Sequence, residues 1–241
     1  MGWVYESIVC SIGERRLVNR GFLNGPLCPV YGFGSLASIF VLYHKMDNNV
    51  IVLFFAGMLL SCTVEYITAV LLEKLFNAKW WDYSNYRFNF QGRVSLIGAV
   101  VFGALSVLLI KYVHPIAVGL INQLPDWLQI ALSLVIFIIV MLDLFVTVRH
   151  LLHLNARLKE IQTAINSFLG QYTKRAGELK DSILNKFEES DFYNERIKAL
   201  FNLSRIQNMR IVRAFPDLRS LKYTDAFQKL KNILLGEDDK R

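Results

Sequence analysis

The sequence predicts an all-α protein, a polytopic membrane helical bundle of four full crossings plus a truncated N-terminal helix, with a cytoplasmic amphipathic helical tail. Three observations predict it. First, crossing about 30 Å of hydrocarbon as a helix takes about 20 predominantly apolar residues, and residues 50–73, 94–113 and 127–148 each supply such a run. Second, charge divides unevenly along the chain. Residues 1–148 hold nine Lys+Arg and eight Asp+Glu, whereas residues 149–241 hold 18 and 12. Third, the apolar spacing beyond residue 150 changes to alternating steps of three and four, the mark of a helix with one apolar seam.

Composition excludes several classes. Five Pro and 14 Gly in 241 residues do not make a collagenous or low-complexity chain, and three Cys do not make a disulfide scaffold. A pI near 9.3 would suggest nucleic acid in a soluble protein. Here the excess cations lie beside apolar spans, so the expected partner is the lipid bilayer, not nucleic acid.

The elements follow in order. Residues 3–12 are apolar but too few to cross, and basic residues follow them instead of preceding them as in a signal peptide. Position 6 is Glu6, where a myristoylation signal needs Ser or Thr. This piece reads as the cytoplasmic end of a helix whose beginning is missing. A first full crossing over residues 25–44 has only about fifteen apolar positions and needs the preceding GPLCP turn at membrane depth. The 50–73, 94–113 and 127–148 segments complete the set. Basic residues Arg15, Arg16 and Arg20, then Lys74, Lys79, Arg87 and Arg93, then the whole tail, alternate with loops poor in Lys and Arg. The positive-inside rule therefore places the Arg15 region and the C-terminus in the cytoplasm of a multipass cell-membrane protein.

In the tail, Leu151, Leu154, Leu158, Ile161, Ile165, Phe168 and Tyr172 run out of the last membrane helix as a heptad seam. Helices are expected over 149–187, 192–213 and 224–235, the last capped by Thr224 or Asp225. The seam can close an intrachain coiled-coil hairpin, or dock a cytoplasmic partner or a second copy. The two readings are compatible.

Few residues offer chemistry. Glu65 lies within an apolar span, where a charge costs about 3 kcal/mol unless it finds a partner, a proton or a wet cavity. Ser61, Cys62, Thr68 and Ala69 share its face, which reads either as helix packing or as a substrate or ion path. A bridging cation would have to come from Arg20 or Arg93. Asp143 and Glu6 are further candidates for packing or for a pathway. Ser95, Ala99 and Gly103 make a small-residue packing face. The segment RGFLNGPLCPVYGFG contains Arg20, Gly21, Asn24, Gly25, Pro26, Pro29, Gly32 and Gly34. Irregular backbone of that kind fits a re-entrant loop whose amides bind an anion. Trp80, Trp81, Asp82, Tyr83, Gln91 and Arg93 fall in an aromatic loop over residues 77–93. It reads as an interfacial belt, or as a surface for an ATPase or a lipid headgroup. No GxxxxGK[ST], GxSxG, HExxH or CxxC occurs. No enzyme, cofactor or metal is expected.

The strings NRGFLNGP, CPVYGFG, EYITA and WWDYS followed by FNFQGR, with HP at 114–115, resemble the bacterial ABC-transporter type IV permease family. The resemblance covers residues 2–115, and RAFPDLRSLKY at 213–223 is similar to the tails of longer members. It implies a multipass cell-membrane protein classed as a transporter permease, and the leading reading is a membrane subunit of a transport system, energised, if at all, by a separately encoded ATPase. It names no substrate and carries over no catalytic residue. The rival reading is a membrane scaffold whose basic tail recruits a soluble partner or anionic lipid. A transport path requires polar groups from several helices around one cavity, whereas a scaffold requires only a dry core.

Overall fold

The computed structural model describes residues 2–15, 17–43, 49–176 and 205–235. The tail predictions over 177–204, including most of the helix expected at 192–213, lie outside the described residues. The chain divides into two compact units, one of Met1–Glu73 with Trp81–Thr147, the other of Lys74–Trp80 with Val148–Arg241.

In the first unit, helix α1 (Gly2–Glu14) leads into an irregular segment, then α2 (Pro29–Ser38), which ends in a π-helical turn, Ile39–Tyr43. Pro29 suits the first turn of α2, where its missing N–H has no intrahelical acceptor to lose. The helical run Pro29–Tyr43 is about 22 Å long, shorter than the hydrocarbon core of a typical bilayer. Gly32 and Gly34, expected in an irregular entry, are helical residues of α2. A Cβ at either would meet nothing within 4 Å.

Helix α3 (Val50–Phe76) is unbroken for 27 residues. A short strand pair, β2 (Asn89–Phe90) with β3 (Val94–Ser95), precedes α4 (Leu96–Leu108). Ser95 caps α4 by accepting from the Gly98 N–H. The sequence places the end of this span at Val113 and a loop from His114. Instead a π-helical turn, Leu109–Val113, leads directly into α5 (His114–Ile121), so the helical run is Leu96–Ile121. The reason is Pro115. It has no N–H for the α-helical ladder and would crowd the carbonyl four residues earlier, and the wider turn accommodates both effects. The two π-helical turns meet. Leu42, Leu53 and Ile110 form a buried cluster there, and the rings of Tyr43 and His114 lie 4.3 Å apart edge to face.

The small-residue face of α4 is a packing face. Ser95, Ala99, Gly103 and Ser106 are all buried. A Cβ added to Gly57 on α3 would stand 2.3 Å from the Ser106 Cβ, and one added to Gly103 would stand 2.9 Å from the Phe54 ring. Helix α6 (Asp126–Ala176) starts in this unit and continues into the second.

In the second unit, the seam residues Leu151, Leu154, Leu158, Ile161 and Ile165 are buried. The elements around them are α7 (Arg205–Ala214), α8 (Thr224–Leu235), and strand β1 (Ala78–Lys79) paired antiparallel with β4 (Arg219–Ser220). Gln162 accepts from the Ala226 N–H and donates to Asp225, tying α6 to the first turn of α8. The Leu151–Ile165 part of the seam is thus covered within the chain. Trp80 also lies in this core, 4 % exposed and edge-on to Phe215 at 5.0 Å, so it is not part of an interfacial belt. The β1–β4 pairing draws it inward.

Two measurements test this packing. In detergent, Gly57→Ala is expected to lower stability by about 1–3 kcal/mol through overpacking, while Gly119→Ala, with open space around its Cβ, does not lower it. Ile165→Ala, at a fully buried seam position, is expected to cost about 2–5 kcal/mol and to expose the tail to limited proteolysis without changing membrane insertion.

Candidate functional site

A cavity of about 400 Å³ lies within the first unit. Its walls come from α1, α2, α3, and α4 with its π-helical turn. Tyr31, Phe102, Leu105 and Leu109 make it largely apolar, and Ser35, Ser38, Ser61, Ser106 and Glu65 bring polar groups from three helices. The sequence marked Ser61 and Glu65 but not Ser35, Ser38 or Ser106. The two α2 serines are three residues apart, which puts them on one helix face, and that spacing is the signal that could have found them. Thr68 instead returns its hydroxyl to the Val64 carbonyl and takes no part in the wall.

Glu65 is 6 % exposed. Its Oε1 accepts from the Tyr83 hydroxyl at 3.4 Å, and its Oε2 has no hydrogen-bond partner among the described residues. Neither expected cation pairs with it. Arg93 is turned to Glu73, its Nε 3.1 Å and its Nη2 2.6 Å from Oε2. Arg20 Nε lies 3.3 Å from Glu6 Oε2, and Glu6 Oε1 accepts from the Tyr31 hydroxyl at 2.6 Å. Each guanidinium therefore has its own carboxylate, and Glu65 is left with a phenol.

The loop over residues 77–93 holds that phenol in place. Gln91 and Gly92 both adopt positive φ, and the Asn89 side chain accepts from the Gly92 N–H, closing the turn between β2 and β3. The Gly92 carbonyl then accepts from the Tyr83 N–H at 2.8 Å, and Trp81 Nε1 donates to the Arg93 carbonyl. Gln91 accepts from Tyr66 and from Arg93, while Asp82 holds Ser84 in a local turn. Burial pushes the Tyr83 phenol above its ordinary range. Glu65 and Glu6 add to that rise, and Arg20 opposes it. Tyr83 thus stays protonated, as a donor should.

The segment between α1 and α2 has a different use. Its amides do bind an anion, and the anion is Asp143 on α6. Asp143 Oδ1 accepts from the Asn24 N–H at 3.0 Å and from Asn24 Nδ2 at 2.9 Å, and Oδ2 accepts from the Gly25 N–H at 2.8 Å. Thr147 adds a longer bond to Oδ1 at 3.3 Å. Gly21 is required where it stands, since a Cβ there would lie 2.7 Å from the Gly25 carbonyl oxygen. Pro26 is exposed at the tip of the turn. Serines of α1 hold the approach, Ser11 accepting from the Val18 N–H and Ser7 from the Arg20 N–H.

A family model described as "Putative ABC-transporter type IV" matches residues 1–148. The chain belongs to that family. The matched stretch contains every residue of the cavity and of the Asp143 clasp. No curated protein and no solved structure matches the chain. Together with the three long apolar helices, membership makes this a multipass membrane protein related to ABC transporters.

The clasp gives a direct test. Asp143→Asn leaves an acceptor but turns an amide N–H₂ toward one set of donors, at about 1.5–3 kcal/mol for each charge-assisted bond lost. The expected result is lower thermal stability and faster proteolytic nicking near residues 19–28. Asp126→Asn, an exposed carboxylate on the same helix, should show neither.

Proposed function

We propose that this protein is the membrane permease subunit of an ABC-type transport system in the bacterial cell membrane, and that the cavity beside Glu65 lies on the substrate path. One observation carries the reading: side chains from α1, α2, α3 and α4 surround a single cavity, and three of those helices turn hydroxyls or a carboxylate into it. A scaffold has no use for a buried carboxylate with an unpartnered oxygen, because replacing it with a well-packed apolar residue would stabilise the core. The chain itself carries no phosphate-binding Gly-rich loop, so hydrolysis is assigned to a separately encoded ATPase, and the permease is not itself an enzyme. Four crossings are proposed, with the short Pro29–Tyr43 helix as the first, and the Arg15 region and the basic C-terminal tail in the cytoplasm. The tail is then the part within reach of the ATPase and of anionic headgroups, and homo-oligomerisation through its remaining seam is compatible with that placement.

Cysteine accessibility tests the path. In a background lacking Cys10, Cys28 and Cys62, Ser61→Cys on the cavity wall is expected to react with the water-soluble reagent methanethiosulfonate ethylammonium. Ser133→Cys, on the exposed apolar part of α6, is expected to resist it, because a thiol in hydrocarbon does not ionise. A dry core predicts that both resist equally, and that result would favour the scaffold.

A further inference from the structure

We infer that the cavity binds an organic amine, a molecule with a small apolar or aromatic body and one ammonium group, which places that ammonium at the Glu65 carboxylate. The inference rests on the permease reading and names the chemical class of its substrate.

The argument begins with charge. Among the described residues lining the cavity, Glu65 is the only carboxylic acid, and no Lys or Arg is present. Glu6 and Arg20 neutralise one another outside the wall. One carboxyl group and no cation offer nothing to pair with an organic anion, whereas an ammonium finds there a group able to serve as its counter-charge. Hydrogen bonding points the same way. A carboxylate accepts at both oxygens, and Glu65 has a single donor on Oε1 and none on Oε2 among the described residues. An ammonium brings three donors, one for the carboxylate and two for other acceptors of a wall that includes four serines.

Desolvation decides between a bound cation and an empty site. Removing a charge from water is unfavourable, and the fold has already imposed that cost on Glu65. The empty site relieves that cost by holding a proton on Glu65. An entering ammonium takes the proton's place as the neutralising charge, the proton leaves to water, and the resulting pair is held in a site of low dielectric. The walls supply the rest. Tyr31 and Phe102 stand edge to face with ring centroids 5.9 Å apart, and aromatic faces attract cations as well as apolar bodies. The volume of about 400 Å³ falls in the range of small-molecule sites. A lipid tail would fill the apolar walls but would leave Oε2 without a donor.

The probe is phenethylamine, with 2-phenylethanol and 3-phenylpropionate as neutral and anionic analogues of similar size. Binding of radiolabelled phenethylamine is measured on the purified full-length protein in nanodiscs, with the two analogues as competitors. Saturable binding is expected, with both analogues weaker by about tenfold to a hundredfold, the factor of one charge-assisted hydrogen bond. Glu65→Gln is expected to weaken phenethylamine by a similar factor, and Asp126→Asn to leave it unchanged. Equal competition by 2-phenylethanol would overturn the amine assignment, as would unchanged affinity in a folded Glu65→Gln protein or no saturable binding at all. The three-probe comparison on the unmutated protein decides the matter should Glu65→Gln fail to fold. Failure of the amine with Ser61→Cys still reactive removes the substrate class alone, whereas an unreactive Ser61→Cys removes the path itself.

Discussion

Backbone amides that leave a helix inside a membrane protein must find partners other than water, and the first unit is organised around the way residues 17–28 meet that requirement. Two N–H groups and one side-chain amide of Asn24–Gly25 converge on the Asp143 carboxylate. The carboxylate in turn escapes the penalty of an unpaired charge at membrane depth. Neither group would be tolerable alone. Once the turn is fixed, Val18, Arg20 and Asn19 hold α1 through Ser11, Ser7 and the Trp3 indole, and Pro29 starts α2 a few residues on. Those two helices are half of the cavity wall, so the cavity depends on a carboxylate far from it in sequence.

The other half of the wall depends on the absence of side chains. Gly57 and Gly103 let α3 and α4 approach so closely that a methyl group at either would collide with its neighbour. Ser61 lies one turn beyond Gly57 on the same face, and Ser106 is the residue Gly57 touches. Tight contact and open cavity are therefore adjacent stretches of one interface. The bundle stays packed on one side of a largely apolar space whose wall carries Ser61 and Ser106.

Local periodicity made much of this fold legible in the sequence. The long apolar helices, the Ser95–Ala99–Gly103 face and the Leu151–Ile165 seam are each set by neighbours within a turn or two. The misses share the opposite character. The span read as ending at Val113 continues, because a helix can absorb Pro115 by widening one turn, and Ile110 in that turn packs against Leu42 and Leu53. Trp80 has the composition of a headgroup anchor, but pairing of Ala78–Lys79 with a strand some 140 residues later carries it into a core. The loop RGFLNGP reads as irregular backbone with amides to satisfy, and that Asn24 and Gly25 turn theirs to Asp143 is a contact across more than a hundred residues. Glu65 was legible as a residue in need of a partner. That the partner is Tyr83 depends on a hairpin turn at Gln91–Gly92 which no helical pattern announces.

Asp143 and Glu65 make the sharpest contrast in the molecule. Both are carboxylates within apolar helices, Glu65 among Ser61, Cys62, Thr68 and Ala69 at helical spacing and Asp143 among Ile139, Val140, Val146 and Thr147. Asp143 is half-exposed and accepts four hydrogen bonds from protein donors, two from backbone amides that cannot move away. Among the described residues, the buried Glu65 accepts one long bond from a phenol, although two guanidinium groups have been matched to other acids in the same unit. A fold that needed Glu65 for stability alone would have given it one of those cations, as it gave Glu6 and Glu73 theirs. Among the described residues no second donor reaches Glu65, and it is that open oxygen to which the proposed ammonium would donate.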